Sequence, residues 1–78
     1  MNVDTTPVKV GTGPMIIQNI GPDPLRVGFS NVTADNGLHL TAGAACVVGH
    51  TGGDIYVRSS TGNCDVRILP GGIGFFTP

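Results

Sequence analysis

The residues that could do acid–base, thiol or metal chemistry are few in this chain. The 78 residues contain no glutamate, and the candidates are His39, His50, Cys46, Cys64, Asp4, Asp23, Asp35, Asp54 and Asp65. Catalysis by histidine needs an orienting partner and a nucleophile within hydrogen-bond reach. Nothing in the spacing of these residues indicates such a group. The sequence therefore predicts no catalytic residue and a protein that is not an enzyme.

Metal and cofactor chemistry is no better supported by the spacing. Cys46 and Cys64 lie far apart, and neither belongs to a CxxC pair. A zinc site would need more ligands at closer spacing, and a disulfide would need an oxidising compartment. The aspartates lack the spacing of a calcium loop, and the glycine-rich stretches precede no helix that could hold a phosphate. We predict no metal and no cofactor, with both cysteines buried as small apolar side chains.

Charge and composition exclude several kinds of partner. Four lysines and arginines are balanced by five aspartates, for a net charge of −1, which is too little for a groove that follows nucleic acid. The N-terminus lacks the basic and apolar regions of a secretory signal, and no apolar run approaches the ~20 residues of a membrane span. These features predict no nucleic-acid partner, no membrane, and synthesis and use inside a cell or in a particle assembled there. The sequon at Asn31 is then expected to be unmodified.

Short β-strands separated by turns are the main structural signal. Thirteen glycines and six prolines are spread along the chain and interrupt every helical pattern. Strands are predicted at residues 7–10, 15–20, 25–29, 38–41, 45–50, 55–59 and 64–69, with a tight turn at 21–24 and a hairpin-like turn at 51–54. This pattern predicts an all-β fold, a small antiparallel β-barrel or β-sandwich of six to eight short strands. It forms a single domain over residues 1–78, with 1–6 as an N-terminal arm and 71–78 as a C-terminal tail.

The two-residue period of a strand assigns the side chains to faces. Leu25, Val27 and Phe29 are predicted inward, as are Leu38 and Leu40, with His39 outward. The last two strands should each show one apolar and one charged face, which is typical of antiparallel sheets with one solvated side. Their inward residues are Ile55, Val57, Cys64, Val66 and Ile68, and their outward residues are Tyr56, Arg58, Asp65 and Arg67.

The C-terminal tail breaks this alternation. Ile73, Phe75 and Phe76 stand among glycines near the end of the sequence. Large apolar side chains in such a segment need something to cover them. Two alternatives remain open, a tail that folds back onto its own domain and an arm that packs on a neighbouring subunit or partner.

The order of these elements resembles a known family. The stretches "PLRVGFSNVT", "NGLHLTAG", "GGDIYVRSSTG" and "DVRIL", within about residues 15–70, are similar to small all-β virion proteins of tailed bacteriophages, most of all to capsid decoration, or cement, proteins. The resemblance implies a non-enzymatic protein assembled in the host cytoplasm. It would bind the outer capsid surface as a homotrimer and stabilise it, with copies of itself and the major capsid protein as partners.

The candidate interface residues are Ile73, Phe75, Phe76, Tyr56, Arg58 and Arg67. An alternative function is a receptor- or glycan-binding module of a phage fibre or tail tip, for which Tyr56 is the obvious exposed platform.

Overall fold

The computed structural model describes residues 1–49 and 53–70, which form eight β-strands and no helix. The predicted all-β class is confirmed. The strands are β1 (Asn2–Val3), β2 (Val8–Gly11), β3 (Met15–Pro22), β4 (Leu25–Gly28), β5 (Leu38–Leu40), β6 (Ala45–Val48), β7 (Ile55–Ser59) and β8 (Cys64–Pro70). Strand β1 lies within residues 1–6, the segment predicted as an arm.

The strands form two four-stranded antiparallel sheets. Sheet A has the order β1-β8-β3-β6, and sheet B has the order β2-β7-β4-β5. Of the two predicted architectures, the described strands adopt the β-sandwich. Proline has no N–H for a strand ladder, which agrees with β2, directly after Pro7, being an edge strand of sheet B.

One apolar core lies between the sheets. Both sheets contribute alternate side chains to it, as the two-residue strand period requires. Its buried members are Val3, Met15, Ile17, Cys64 and Val66 from sheet A and Leu25, Val27, Leu40, Ile55 and Val57 from sheet B. The inward assignments for β7 and for the first half of β8 are therefore confirmed, while Ile68 packs against the core only partly buried.

Two residues predicted inward, Phe29 and Leu38, are not buried, because both lie at one open end of the sandwich. Phe29 is 57% exposed, since β4 ends at Gly28 and the chain turns there, with Val32 N–H donating to the Phe29 carbonyl at 2.9 Å. Val32 is buried instead. Leu38 pairs with Val27 and so lies on the inner side of sheet B, yet it is also 57% exposed. The alternation of residues along a strand indicates which side of the sheet a side chain faces. It does not indicate whether the opposite sheet covers that side chain.

Two predicted element boundaries also differ from the structure. The turn predicted at 21–24 is shorter, because β3 continues through Pro22. The strand predicted to end at His50 ends at Val48, and residues 50–52, with the first half of the predicted turn at 51–54, lie outside the described residues.

Asn19 is a fully buried polar residue on the inner face of β3. Its side-chain Nδ2 donates to the carbonyls of Asp23 and Leu40, both at 2.9 Å, and Leu40 belongs to sheet B. Its Oδ1 accepts the Gly21 N–H at 2.8 Å, within an irregularity in the pairing of β3 with β8. Gly21 has a φ of +105°, and a Cβ there would lie 2.9 Å from the Ala42 Cβ, so glycine is required. One amide thus joins the two sheets and the turn between β3 and β4.

Replacing Asn19 with alanine should destabilise the fold strongly. The change leaves the Leu40 carbonyl and the Gly21 N–H without their partner, and each unsatisfied buried group costs about 1–3 kcal/mol. We expect a loss of about 3 kcal/mol in the free energy of unfolding, measured by urea denaturation. The control is Gln18→Ala, an exposed neighbour in the same strand, which should change stability by less than about 0.5 kcal/mol. Equal effects of the two substitutions would contradict the role given to Asn19.

Candidate interaction surfaces

The residues with possible chemistry are not brought together by the fold. In residues 1–49 and 53–70, no three histidine, cysteine or aspartate side chains converge into a possible metal site. His39 is exposed on the edge strand β5, and His50 lies outside the described residues. The same part of the chain holds no helix with the length and hydropathy of a membrane span.

Both cysteines are free thiols within sheet A. Cys64 is buried, and its Sγ lies 2.9 Å from the Asp23 carbonyl, which also accepts from Asn19. Cys46 is half-buried against the core. Burial raises the pKa of both thiols, and for Cys64 this outweighs the hydrogen bond to Ser59, which lowers it. A raised thiol pKa leaves less of the nucleophilic thiolate at neutral pH.

The outer face of sheet A carries three adjacent apolar side chains. Ile16 on β3 pairs with Leu69 on β8 and with Val47 on the edge strand β6. Leu69 is 46% exposed and Val47 is 53% exposed, while Ile16 between them is half-buried. We call these three residues the apolar row. A shallow depression of about 280 Å³ lies beside it, lined by Ile16, Gln18, Ala45, Arg67, Ile68 and Leu69.

An ionic cluster lies farther along the same face. Asp65 accepts from the Met1 ammonium group at 3.1 Å and pairs with Arg67 at 3.3 Å. The ammonium group first, and Arg67 second, lower the pKa of the Asp65 carboxyl. The Met1 ammonium also donates to the Val66 carbonyl at 3.0 Å, so the cluster fixes the N-terminus beside β8. Arg67 therefore already has a carboxylate partner within the chain.

The outer face of sheet B is cationic. Arg26 on β4 pairs with Arg58 on β7 and with His39 on β5, and we call these three residues the cation row. Tyr56 and Lys9 are paired in the neighbouring position, and Lys9 forms an ion pair with Asp54 at 3.4 Å. Three of the four lysines and arginines of the chain therefore lie on this one face.

The predicted interface residues thus lie on different surfaces. Tyr56 and Arg58 are half-buried on the outer face of sheet B, whereas Arg67 is exposed on the outer face of sheet A. Ile73, Phe75 and Phe76 lie outside the described residues. The prediction missed the apolar row and Arg26. The sequence did indicate that Ile16 faces outward, because it stands between Met15 and Ile17, and alternate residues of a strand face opposite sides of the sheet.

A cleft opens at the end of the sandwich where Phe29 and Leu38 are exposed. It has a volume of about 460 Å³, and its walls include Val48 from sheet A and Ile55 from sheet B. Its lining is mostly apolar, with Asn31 and Asn36 as polar groups.

Comparison of the chain with protein-family models, with curated proteins and with solved structures gives no match to any of them.

The two thiols should react with a disulfide reagent such as Ellman's reagent at different rates. In the native protein at pH 8 we expect Cys46 to react faster than Cys64, because Cys46 is partly accessible and Cys64 requires local opening. Both should react more slowly than in urea. Because the folded-state pKa values are raised, the native rates should keep rising with pH above the range of an ordinary thiol.

Single Cys46→Ser and Cys64→Ser variants separate the two signals in this measurement. Faster labelling of Cys64 than of Cys46 in the folded protein would contradict the packing described for β8.

Proposed function

We propose that this protein is a non-enzymatic structural component of a bacteriophage virion, which binds the outer surface of the capsid as a homotrimer and stabilises the shell. The proposal starts from the resemblance of its strand and turn sequences to capsid decoration proteins. The observation that supports it best is the apolar row on the outer face of sheet A. Exposed apolar side chains that adjoin one another indicate an interaction surface, whereas single ones are ordinary.

The position of the apolar row suits contact with a large partner. The row crosses β8, β3 and β6, so it spans about 10 Å at the usual separation of strands. Among the strands of residues 1–49 and 53–70, β6 is an edge of the sheet, and backbone groups at a sheet edge can also pair with another chain. An apolar row with a charged cluster farther along the same face favours burial of the row against a protein surface.

Size and charge are consistent with a protein that functions as an assembly. A chain of 78 residues buries a small core, and partners that bind only the folded form stabilise it by mass action. The net charge of −1 gives little repulsion between copies. A trimer that contacts the shell through each subunit gains avidity from several weak contacts.

Capsid binding through the apolar row is tested with Val47→Asp. The aspartate places a charge where we expect an apolar contact, so binding to undecorated capsids, measured by co-sedimentation, should fall about tenfold or more. The matched control is Leu38→Asp, which changes a similarly exposed apolar residue on the edge strand of the other sheet. The control should bind like the wild type.

Several outcomes would contradict the proposal. A wild-type protein that stays monomeric by analytical ultracentrifugation and never binds shells would refute it. Loss of binding in Leu38→Asp with full binding in Val47→Asp would move the contact to the opposite sheet. A clear signal on a glycan array without shell binding would favour the alternative of a glycan-binding module at a fibre or tail tip.

The tail provides a second test of the homotrimer. We expect the double substitution of Phe75 and Phe76 by serine to weaken assembly more than it lowers the melting temperature, because the tail is proposed to contact a neighbouring subunit or the shell. Phe29→Ser, at an exposed phenylalanine, is the control and should leave assembly unchanged. The reverse ranking, a large fall in melting temperature with normal assembly, would make the tail part of the monomer's own core.

A further inference from the structure

The cation row places Arg26 directly opposite two other basic side chains, one on each neighbouring strand. The register pairs Arg26 with Arg58 on one side and with His39 on the other, and all three project from the outer face of sheet B. Side chains directly opposite in an antiparallel pair have Cβ atoms about 4.5–5.5 Å apart, and the like charges of Arg26 and Arg58 are destabilising at that distance. The contact between the two arginines therefore does not itself stabilise the fold, although Arg58 donates to the carbonyls of Ser59 at 3.0 Å and Ser60 at 3.5 Å.

No aspartate of the chain neutralises these arginines. All five aspartates lie within the described ranges, and the chain has no glutamate. The ion pairs found there join Asp65 to the Met1 ammonium and to Arg67, and Asp54 to Lys9. Arg26 and Arg58 therefore carry charges with no aspartate beside them.

Two polar atoms, one within the cation row and one beside it, are buried without a hydrogen-bond partner in the described chain. They are Nε of Arg26 and Oγ of Ser60. Ser60 follows β7 two positions after Arg58, whose Nε donates to the Ser59 carbonyl at 3.0 Å. The Ser60 N–H donates to the Pro24 carbonyl at 2.8 Å. This bond extends the pairing of β7 with β4 by one residue beyond Leu25 and Ser59. A carboxylate can accept from both an N–H donor and a hydroxyl that lack partners, once the side chains that shield these atoms from solvent move aside.

We infer that the cation row, with Ser60 beside it, binds a carboxylate of an acidic segment in a partner protein. The planar fork of a guanidinium matches a carboxylate in two-point hydrogen bonding. Nucleic acid fits less well, because binding to it needs a track of many phosphate contacts, and Lys9 on this face is already paired with Asp54. The inference does not depend on the proposed function, since any partner with an accessible acidic segment satisfies it.

The test is a titration of the isotope-labelled full chain with a capped tetra-aspartate peptide at low salt, followed by NMR. We expect the backbone and arginine Nε signals of β4 and β7 to shift with millimolar or tighter affinity. Arg26→Gln should weaken binding about tenfold, which is the range of a lost charged hydrogen bond. Arg67→Gln, on the opposite face, is the matched control and should bind like the wild type. Parallel titrations use inorganic phosphate and a short single-stranded oligonucleotide.

A stability measurement distinguishes binding from a structural role for Arg26. Without peptide, Arg26→Leu removes the like-charge contact and the unpaired Nε, so the melting temperature should rise by about 4 °C or more while peptide binding is lost. A fall in melting temperature would show that Arg26 is held by contacts within the fold and would overturn the inference. It would also be overturned by no peptide binding, by equal loss in Arg67→Gln, or by tighter binding of the oligonucleotide than of the peptide.

Discussion

The buried amide of Asn19 is the interaction on which the rest of this sandwich depends. The two sheets are otherwise joined mainly by apolar side chains, whose attraction is non-directional and does not fix one relative position. The hydrogen bond from Asn19 to the Leu40 carbonyl is directional and links sheet A to sheet B. The backbone of Asn19 adds bonds to Ala44 and Gly43, so the connection between β5 and β6 is positioned by the same residue. A small core with a satisfied polar link can specify one packing arrangement.

This fixed arrangement gives the two outer faces different characters. Because the inward positions of β3, of β7 and of the first half of β8 are buried between the sheets, the alternate positions are available for other contacts. On sheet A these positions bring Ile16 beside Leu69 and Val47, and on sheet B they bring Arg26 beside Arg58. The two surfaces point in opposite directions, so one partner with a flat surface contacts only one of them. A protein with both can connect two neighbours of different chemistry.

Much of the fold was predictable from the sequence, whereas the surfaces were not. Residues 55–59 alternate strictly, so β7 was predicted with its observed bounds, and the faces of Val57 and Cys64 followed. Leu38 lies on the predicted side of sheet B but is exposed, because alternation cannot say where the opposite sheet ends. The apolar row and the cation row depend on pairing between strands distant in sequence, such as β4 with β7. Register depends on the whole packed structure, so a single strand's pattern does not contain it.

Buried polar groups with hydrogen-bond partners and buried polar groups without them lie in different parts of this protein. Inside the sandwich, Asn19 uses both its amide nitrogen and its amide oxygen in hydrogen bonds. On the outer face of sheet B, Arg26 Nε and Ser60 Oγ are shielded from solvent yet bond to nothing in the described chain. Buried polar groups without a partner are few in folded proteins, and a bound acidic partner would supply acceptors for both of these donors. In the isolated chain the two unpaired donors lower the stability of the fold. A partner that supplies their acceptors is therefore favoured over a partner that does not.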